Sequence, residues 1–226
     1  MKRKLNYGDI FSLEVAKGKY VFGRILFNVE EQYAPFYNET EIENYLSSYF
    51  GCQLVEMYKG IYDSSEYKGY DEILIPRAFV GNIDDRYNKD VAWQKVGHKS
   101  IDYTKVEFPE IIGNMNNGIW LMRGELIFQI YSFDDADDAP VDWLLEPYVG
   151  VLGDACLFMQ GRKDLIEGFV ADEYLIDSDL LYHPELRIKL YEEIDRDPKQ
   201  SYYELSKDEG FDFGRLFNKL NVIMDA

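Results

Sequence analysis

The stretch GDIFSLEVAKGKYVFGRILF, residues 8–27, decides the fold of this chain. Two apolar runs, 8–15 and 20–27, flank the short polar segment Ala16-Lys17-Gly18-Lys19. Apolar and aromatic residues favour pleated strands, and a glycine between two such runs favours a reversal of the chain. The stretch therefore predicts an antiparallel β-hairpin.

Further strands are predicted downstream, because short β-branched or aromatic runs alternate with Gly, Asn, Asp or Pro. These strands cover residues 53–58, 72–80, 91–97, 119–122 and 126–131. The last strand is apolar at nearly every position, which predicts burial on both of its faces. Before these strands, Thr40 and Glu43 match a capping box and predict a short helix over residues 41–50.

The end of the chain has a helical pattern. Apolar residues recur at a spacing of four over residues 186–194, and Pro184 is suited to the first turn of that helix. Ser201 and Glu204 match a second capping box, which predicts another helix that ends near Gly210. The tail is therefore expected to be helical.

These elements predict an α+β protein that is mainly β. We expect a curved or barrel-like antiparallel sheet, closed by a C-terminal helical segment. No Pro-, Gly- or Ser-rich linker interrupts the chain, so we predict a single domain over residues 1–226. Within it we expect a β core at 8–125, an acidic segment with strands at 126–180 and a helical tail at 181–226.

Composition indicates an ordered, globular protein, because 46% of the 226 residues are hydrophobic. The sequence has no apolar run long enough for a membrane span. Its basic start leads straight into polar residues without an apolar signal core, so we expect a cytoplasmic protein. Cys52 and Cys156 each lie among apolar neighbours, which predicts buried free thiols.

Negative charge is concentrated in one part of the chain. The net charge is −18, and residues 107–179 contribute −13 of it, with sixteen Asp and Glu against three bases. Residues 1–106 carry −2 and residues 181–226 carry −3. Such a field repels nucleic acid and anionic membranes and attracts basic proteins. We therefore expect a basic protein as partner, and neither nucleic acid nor a membrane.

The densest acidic run, residues 134–146, surrounds one tryptophan, and no Lys or Arg occurs between Gly124 and Gly161. Aromatic anchors ringed by charge are typical of tight protein interfaces, whereas most charge runs are solvated loops. The sequence leaves both interpretations open. The residues predicted to bind a partner are Asp134, Asp135, Asp137, Asp138, Asp142, Trp143 and Glu146.

The sequence gives little support to a catalytic or metal site. His98 paired with Cys52 or Cys156 would supply a base and a nucleophile, but no nucleophile motif surrounds either thiol. Cysteines and histidines are too scattered for zinc, and a calcium loop counted from Asp135 would have Pro140 where glycine is required. We predict no catalytic residue, no metal site and no cofactor.

The hairpin at 8–27 resembles the opening of the immunity protein 26 family of bacterial polymorphic toxin systems. A second stretch, Trp93-Gln94-Lys95-Val96-Gly97-His98, precedes Phe108-Pro109 and Trp120, and it resembles that family's later Trp, Gly-His and Pro positions. The resemblance covers residues 8–125. The positions that match the family pattern, which we interpret as turn and core positions, are Gly8, Asp9, Gly23, Arg24, Trp93, Gly97 and His98.

The resemblance implies a mostly β, non-enzymatic protein that binds and neutralises a cognate toxin, often a nuclease, inside the producing cell. The charge argument agrees, because a nuclease needs a basic groove that an acidic inhibitor can occupy. The alternative is a small-molecule or glycan-binding β module, suggested by the tyrosines at 58–62 and 67–70, since aromatic faces stack on sugars. An enzyme is a third candidate, supported only by abundant carboxylates.

Overall fold

The computed structural model describes residues 5–37, 45–81, 93–115, 118–132, 149–167 and 178–217. The chain divides into two compact units, each made from three stretches. Unit 1 contains Met1–Val29, Gly51–Ile101 and Glu146–Leu175, and unit 2 contains Glu30–Phe50, Asp102–Leu145 and Ile176–Ala226. The predicted β core at 8–125 therefore contributes to both units, and the single domain over 1–226 stays a prediction.

Unit 1 contains a five-stranded antiparallel sheet in the order β4-β3-β2-β1-β5. Its strands are β1 (Asp9–Ala16), β2 (Lys19–Asn28), β3 (Cys52–Tyr58), β4 (Ile73–Gly81) and β5 (Trp93–His98). The predicted hairpin is confirmed, since β1 and β2 pair with Phe11 opposite Gly23. A one-turn helix, α1 (Val29–Gln32), follows β2.

One face of this sheet packs against a helix that the sequence did not predict, α2 (Val149–Met159). A Cβ atom on Gly153 of α2 would lie 3.0 Å from Val15 Cγ1, so glycine lets the helix approach β1 closely. Sheet and helix share one core cluster, whose buried members include Phe11, Leu13, Val21, Ile25, Val55, Met57, Ile75, Leu152, Ala155 and Cys156. This core holds unit 1 together.

The opposite face of the sheet carries a second, smaller cluster. Ile10, Phe22 and Tyr58 are buried there. Tyrosines from the segment 59–72, which joins β3 to β4, pack over Phe22 and cover it. The sheet of unit 1 is therefore apolar on both faces.

Unit 2 contains a three-stranded antiparallel sheet in the order β6-β7-β8. Its elements are β6 (Glu110–Met115), β7 (Gly118–Arg123), β8 (Leu126–Ile130), α3 (Pro184–Glu193) and α4 (Tyr202–Asp208). Shorter 3-10 helices are Ala34–Phe36, Tyr45–Tyr49, Tyr103–Lys105 and Leu180–Tyr182, and unit 1 has one at Lys163–Leu165. The helical tail is confirmed, including the predicted capping box between Ser201 and Glu204.

The core of unit 2 contains a cluster of aromatic rings. Tyr202 of α4 meets Phe108 and Phe213 edge-on, with ring centroids 4.7 and 4.8 Å apart. Phe213 in turn meets Phe217 at 5.3 Å. Such edge-to-face pairs contribute about 0.5–1.5 kcal/mol each beyond the area they bury. The C-terminal helices are thus held by aromatic packing.

The α+β fold class is confirmed, but three details differ from prediction. The strands of the described residues form two sheets, whereas one curved or barrel-like sheet was expected. Strand β8 is not buried on both faces, because it lies at the edge of its sheet and Gln129 is exposed. The helix predicted over 41–50 is a 3-10 helix at Tyr45–Tyr49, and its predicted start lies outside the described residues.

Candidate functional site

The seven positions that match the family pattern lie on or next to three neighbouring strands of unit 1, namely β2, β1 and β5. Gly8 precedes β1 with a positive φ of 83°. A Cβ atom there would lie 2.7 Å from His98 Cε1, so the imidazole packs directly over the glycine. A side chain at position 8 would therefore displace the His98 ring.

A buried carboxylate, that of Asp9, links β1 to β5. Its Oδ1 lies 3.0 Å from His98 Nδ1 and 2.6 Å from Lys95 Nζ, and its Oδ2 accepts a hydrogen bond from the Asn6 amide at 3.0 Å. Asp9 is only 1% exposed, so these partners are needed to stabilise its charge. The family pattern includes Asp9 and His98, but sequence reasoning missed Lys95, which contacts Asp9 across the strand pair.

A second polar pair lies on the opposite face of the same sheet. Arg24 Nε lies 2.8 Å from Glu56 Oε1, and Arg24 Nη1 donates to the Ser100 carbonyl at 3.3 Å. Burial, with Glu56 beside it, raises the pKa of the Tyr58 hydroxyl. Sequence reasoning also missed Glu56, although its position opposite Arg24 follows from the register of β2 and β3.

The remaining family positions pack closely against apolar neighbours. A Cβ atom on Gly23 would lie 2.7 Å from Phe11 Cζ, inside the main core. Trp93 packs against the same core from β5. Gly97 lies against Ile10 and Tyr67 on the other face. These contacts show what each residue touches in unit 1, without assigning any of them to a partner.

The chemistry available around His98 is limited. Its ring contacts Asp9 through Nδ1, and about half of its side chain is exposed. Cys52 and Cys156 are fully buried, as their apolar neighbours predicted. Burial raises the pKa of the Cys156 thiol, and the thiolate is the reactive form. The geometry therefore does not favour a Cys–His dyad.

The tyrosines that suggested glycan binding stack mainly on one another. Tyr62 and Tyr70 have ring centroids 3.8 Å apart, and Tyr67 meets Tyr70 edge-on at 5.8 Å. A sugar would need a free aromatic face, whereas these faces are largely occupied. The arrangement weighs against the glycan-binding alternative.

Several acids of the stretch 107–179 are paired inside unit 2. Glu110 is fully buried and accepts from Arg187 Nε at 2.5 Å and Nη2 at 2.9 Å. Arg123, 2% exposed, contacts Glu107 and lies 3.2 Å from Glu110. Arg123 Nη1 also donates to the Tyr191 hydroxyl at 3.0 Å. This buried ion network connects β6 and β7 to α3.

A further acid of that stretch, Glu125, pairs with Arg215. Burial raises the pKa of the Glu125 carboxyl despite the opposing effect of that arginine. Because Arg187 and Arg215 lie outside residues 107–179, the −13 counted there overstates the charge that this stretch presents to solvent. The expected concentration of surface charge is reduced by the pairing of Glu110 with Arg187 and of Glu125 with Arg215.

The predicted partner-binding residues Asp134, Asp135, Asp137, Asp138, Asp142, Trp143 and Glu146 all lie outside the described residues. Within the described ranges, no group of three or more His, Cys, Asp or Glu side chains is placed to hold a metal ion. In the same ranges, no helix has the length and apolar character that a membrane crossing requires.

Comparison of the chain with protein-family models, with curated proteins and with solved structures finds no significant match. The resemblance to the immunity protein 26 family rests on the residues named above and stays a prediction. The partner and the activity stay predictions with it.

Proposed function

We propose that this protein is an immunity protein that binds a cognate toxin, such as a nuclease, and neutralises it by stoichiometric contact. The observation that carries the proposal is the distribution of negative charge. In unit 2, arginines pair with Glu107, Glu110 and Glu125. The run at 134–146 has six carboxylates and no base in its sequence.

A charge distribution of this kind suits a basic partner. A toxin that cleaves nucleic acid must hold phosphates in a groove of Lys and Arg side chains. Carboxylates that enter the groove replace the phosphates, and their long-range attraction accelerates encounter. Trp143, in the middle of the run, would supply the apolar anchor that such interfaces use at their centre.

Charge reversal at the acidic run tests this proposal. We expect replacement of Asp134, Asp135, Asp137 and Asp138 by Lys to slow association with the basic toxin by about tenfold or more at low salt. The dependence of the association rate on ionic strength should also flatten. Stopped-flow measurements over a range of salt concentrations give both quantities. The partner for the measurement is the product of the reading frame upstream of this one, and a product without a basic domain would contradict the proposal.

A control variant separates local contact from net charge. Glu30, Glu185, Glu192 and Asp208 are exposed acids of the described residues, and replacing these four by Lys changes the net charge by the same amount. This control should slow association much less than the variant of the acidic run. Equal rates for both variants would show that 134–146 is no contact surface, and absence of binding by the unmodified chain would contradict the proposed function.

A further inference from the structure

The loop of residues 59–72 is longer than the connection requires. Strands β3 and β4 are antiparallel neighbours, and such neighbours are usually joined by two to five residues. Here fourteen residues separate Tyr58 from Ile73. Loops of this length without helices or strands of their own are uncommon in compact domains, and they are usually functional when they are ordered.

This loop is fixed along its length by hydrogen bonds. Its ends meet where the Lys59 amide donates to the Glu72 carbonyl at 2.7 Å. Near its start, the Gly60 amide donates to Gln160 Oε1 at 2.6 Å, and the Tyr62 amide donates to the Tyr20 carbonyl at 2.9 Å. Close ends and internal packing are typical of Ω-loops, which are frequently functional.

Three tyrosines form the centre of the loop and hold each other in place. Phe22 lies beneath all three, with ring centroids 5.3 Å from Tyr62 and from Tyr70 and 5.7 Å from Tyr67. The Tyr67 hydroxyl donates to the Tyr70 carbonyl at 2.7 Å, and the Tyr62 hydroxyl donates to the Lys59 carbonyl at 3.0 Å. Each tyrosine is only half-buried, so its outer edge remains in contact with solvent.

Charged side chains surround this aromatic centre. Four acids, Asp63, Glu66, Asp71 and Glu72, outnumber the two lysines of the loop, and all six residues are exposed. Glu66 lies 3.9 Å from Lys68 Nζ, and both side chains are more than half exposed, so this pair contributes little to stability. Lys19 of β2 pairs with Asp63, so three lysines face the four acids and the net charge of the rim is −1. Because these pairs are exposed, lysines of a partner can replace those of the rim.

The composition of the loop also fits protein recognition. Tyr, Ser, Gly and Asp account for most of residues 61–71, and Tyr, Ser and Gly are the residues that antibody loops use for binding. Tyrosines offer large contact areas at low entropic cost, and these are already held in one arrangement. The acidic rim around this half-buried aromatic centre is complementary to a protein surface that presents Lys and Arg, since both bind carboxylates.

We propose that the loop 59–72 is a preformed recognition surface for the basic partner, distinct from the acidic run at 134–146. This inference rests on the proposed function, because the partner is the same toxin. Unit 1, which contains this loop, would then contact the toxin directly. The tyrosines provide the buried contacts, and the carboxylates of the rim select a cationic surface.

Exposed rim charges allow a test that leaves the core intact. We expect the double replacement Glu66→Lys and Asp71→Lys to raise the Kd for the product of the upstream reading frame about tenfold or more. The matched control is Glu185→Lys with Glu192→Lys on α3, where two exposed acids undergo the same change. Calorimetric titration gives each Kd, and the melting temperature of each variant shows that it is folded.

Hydrogen exchange supplies a second measurement that needs no variant. The amides of residues 61–71 should exchange more slowly in the complex than in the free protein. A tenfold or greater loss of affinity beyond the control, together with this protection, supports the inference. If the unmodified chain binds but the rim variant matches the control and the loop gains no protection, the inference is wrong and the proposed function stands. If the unmodified chain does not bind the product of the upstream reading frame, both the inference and the proposed function are wrong.

Discussion

Unit 1 and unit 2 use charged side chains in different ways. In unit 1 a buried acid pairs with a more exposed base, as for Asp9 beside Lys95, whose side chain is 45% exposed. In unit 2 the side chains of Arg123 and Glu110 are 2% and 0% exposed, within the ion network. A buried charge needs its partner far more than an exposed one does. The charge counted along a sequence is therefore a poor measure of the charge at a surface.

Removing the arginine at the centre of the unit 2 network should have the largest effect. Arg123→Met removes one of the two arginines that pair with the fully buried Glu110, and it also removes the ion pair with Glu107, so we expect a loss of about 3–5 kcal/mol in the free energy of unfolding. Urea denaturation followed by circular dichroism measures this loss.

Arg24→Met in unit 1 is the matched comparison. The side chains of Arg24 and Glu56 are 15% and 11% exposed, against 2% and 0% for Arg123 and Glu110, so water reaches Glu56 more readily when its partner is lost. We expect a smaller loss of about 1–2 kcal/mol. Equal losses for the two variants would remove the contrast between the units.

Glycine substitution tests whether aromatic packing holds the loop 59–72. A Cβ atom on Gly60, whose φ is +119°, would overlap the ring and hydroxyl of Tyr62. Gly60→Ala should therefore displace that ring and cost about 2–4 kcal/mol. Thermal and chemical denaturation give the loss, and near-ultraviolet circular dichroism reports the tyrosine environment.

Gly69→Ala is the control within the same loop. Gly69 also has a positive φ, of 84°, but nothing lies within 4 Å of an added Cβ atom. Gly69→Ala should therefore lower the free energy of unfolding by about 1 kcal/mol, through backbone strain alone. A loss at Gly69 as large as that at Gly60 would show that backbone conformation, not ring packing, determines the result.

Alkaline pH should destabilise both units through their tyrosines. Burial raises the pKa of Tyr58, Tyr62 and Tyr67 in unit 1, and it raises the pKa of Tyr191 in unit 2 from 10.0 to about 12. A group with a raised folded pKa contributes stability that is present below its unfolded pKa and is lost as pH rises through the folded one. The ionisation of Tyr191 alone should therefore lower the free energy of unfolding by about 1–3 kcal/mol between pH 10 and 12.

The ultraviolet absorbance of tyrosinate checks this expectation. The folded protein should retain a group of tyrosines that ionise late, and the same residues should ionise near pH 10 in denaturant. A single transition near pH 10 in the folded state would contradict the burial of these hydroxyls.

The smallest effect is expected at an exposed pair. Lys59 Nζ lies 2.5 Å from Glu72 Oε1, and both side chains are more than half exposed. Lys59→Ala should change the free energy of unfolding by less than about 1 kcal/mol, since solvent and salt screen such pairs. Denaturation at low and high salt measures the change. A larger loss would place this pair in the same class as the unit 2 network.

The strands that the sequence predicted correctly share a simple pattern. Residues 8–27 and 53–58 are apolar or β-branched and end at turn residues, so local preference and tertiary structure agree. The capping box between Ser201 and Glu204 was equally predictable, because its hydrogen bonds join residues three apart.

The elements that the sequence did not predict depend on distant contacts. Helix α2 contains glycines and is apolar on all sides, so it has no amphipathic period, and its packing against β1 decides its conformation. Strand β6 begins with Glu110, which is buried beside Arg187, a residue 77 positions away in the sequence, and beside Arg123. The pairing of Glu110 and Glu125 inside unit 2 was not predicted either, because their arginine partners lie far from them in the sequence.

The most direct measurement of the central claim is a titration of the toxin's activity with this protein. Stoichiometric neutralisation predicts a linear fall in toxin activity that reaches its end at one molar equivalent, with both proteins recovered intact from a single complex. Loss of activity at far less than one equivalent would indicate an enzyme. Full activity at a large excess of this protein would contradict neutralisation altogether.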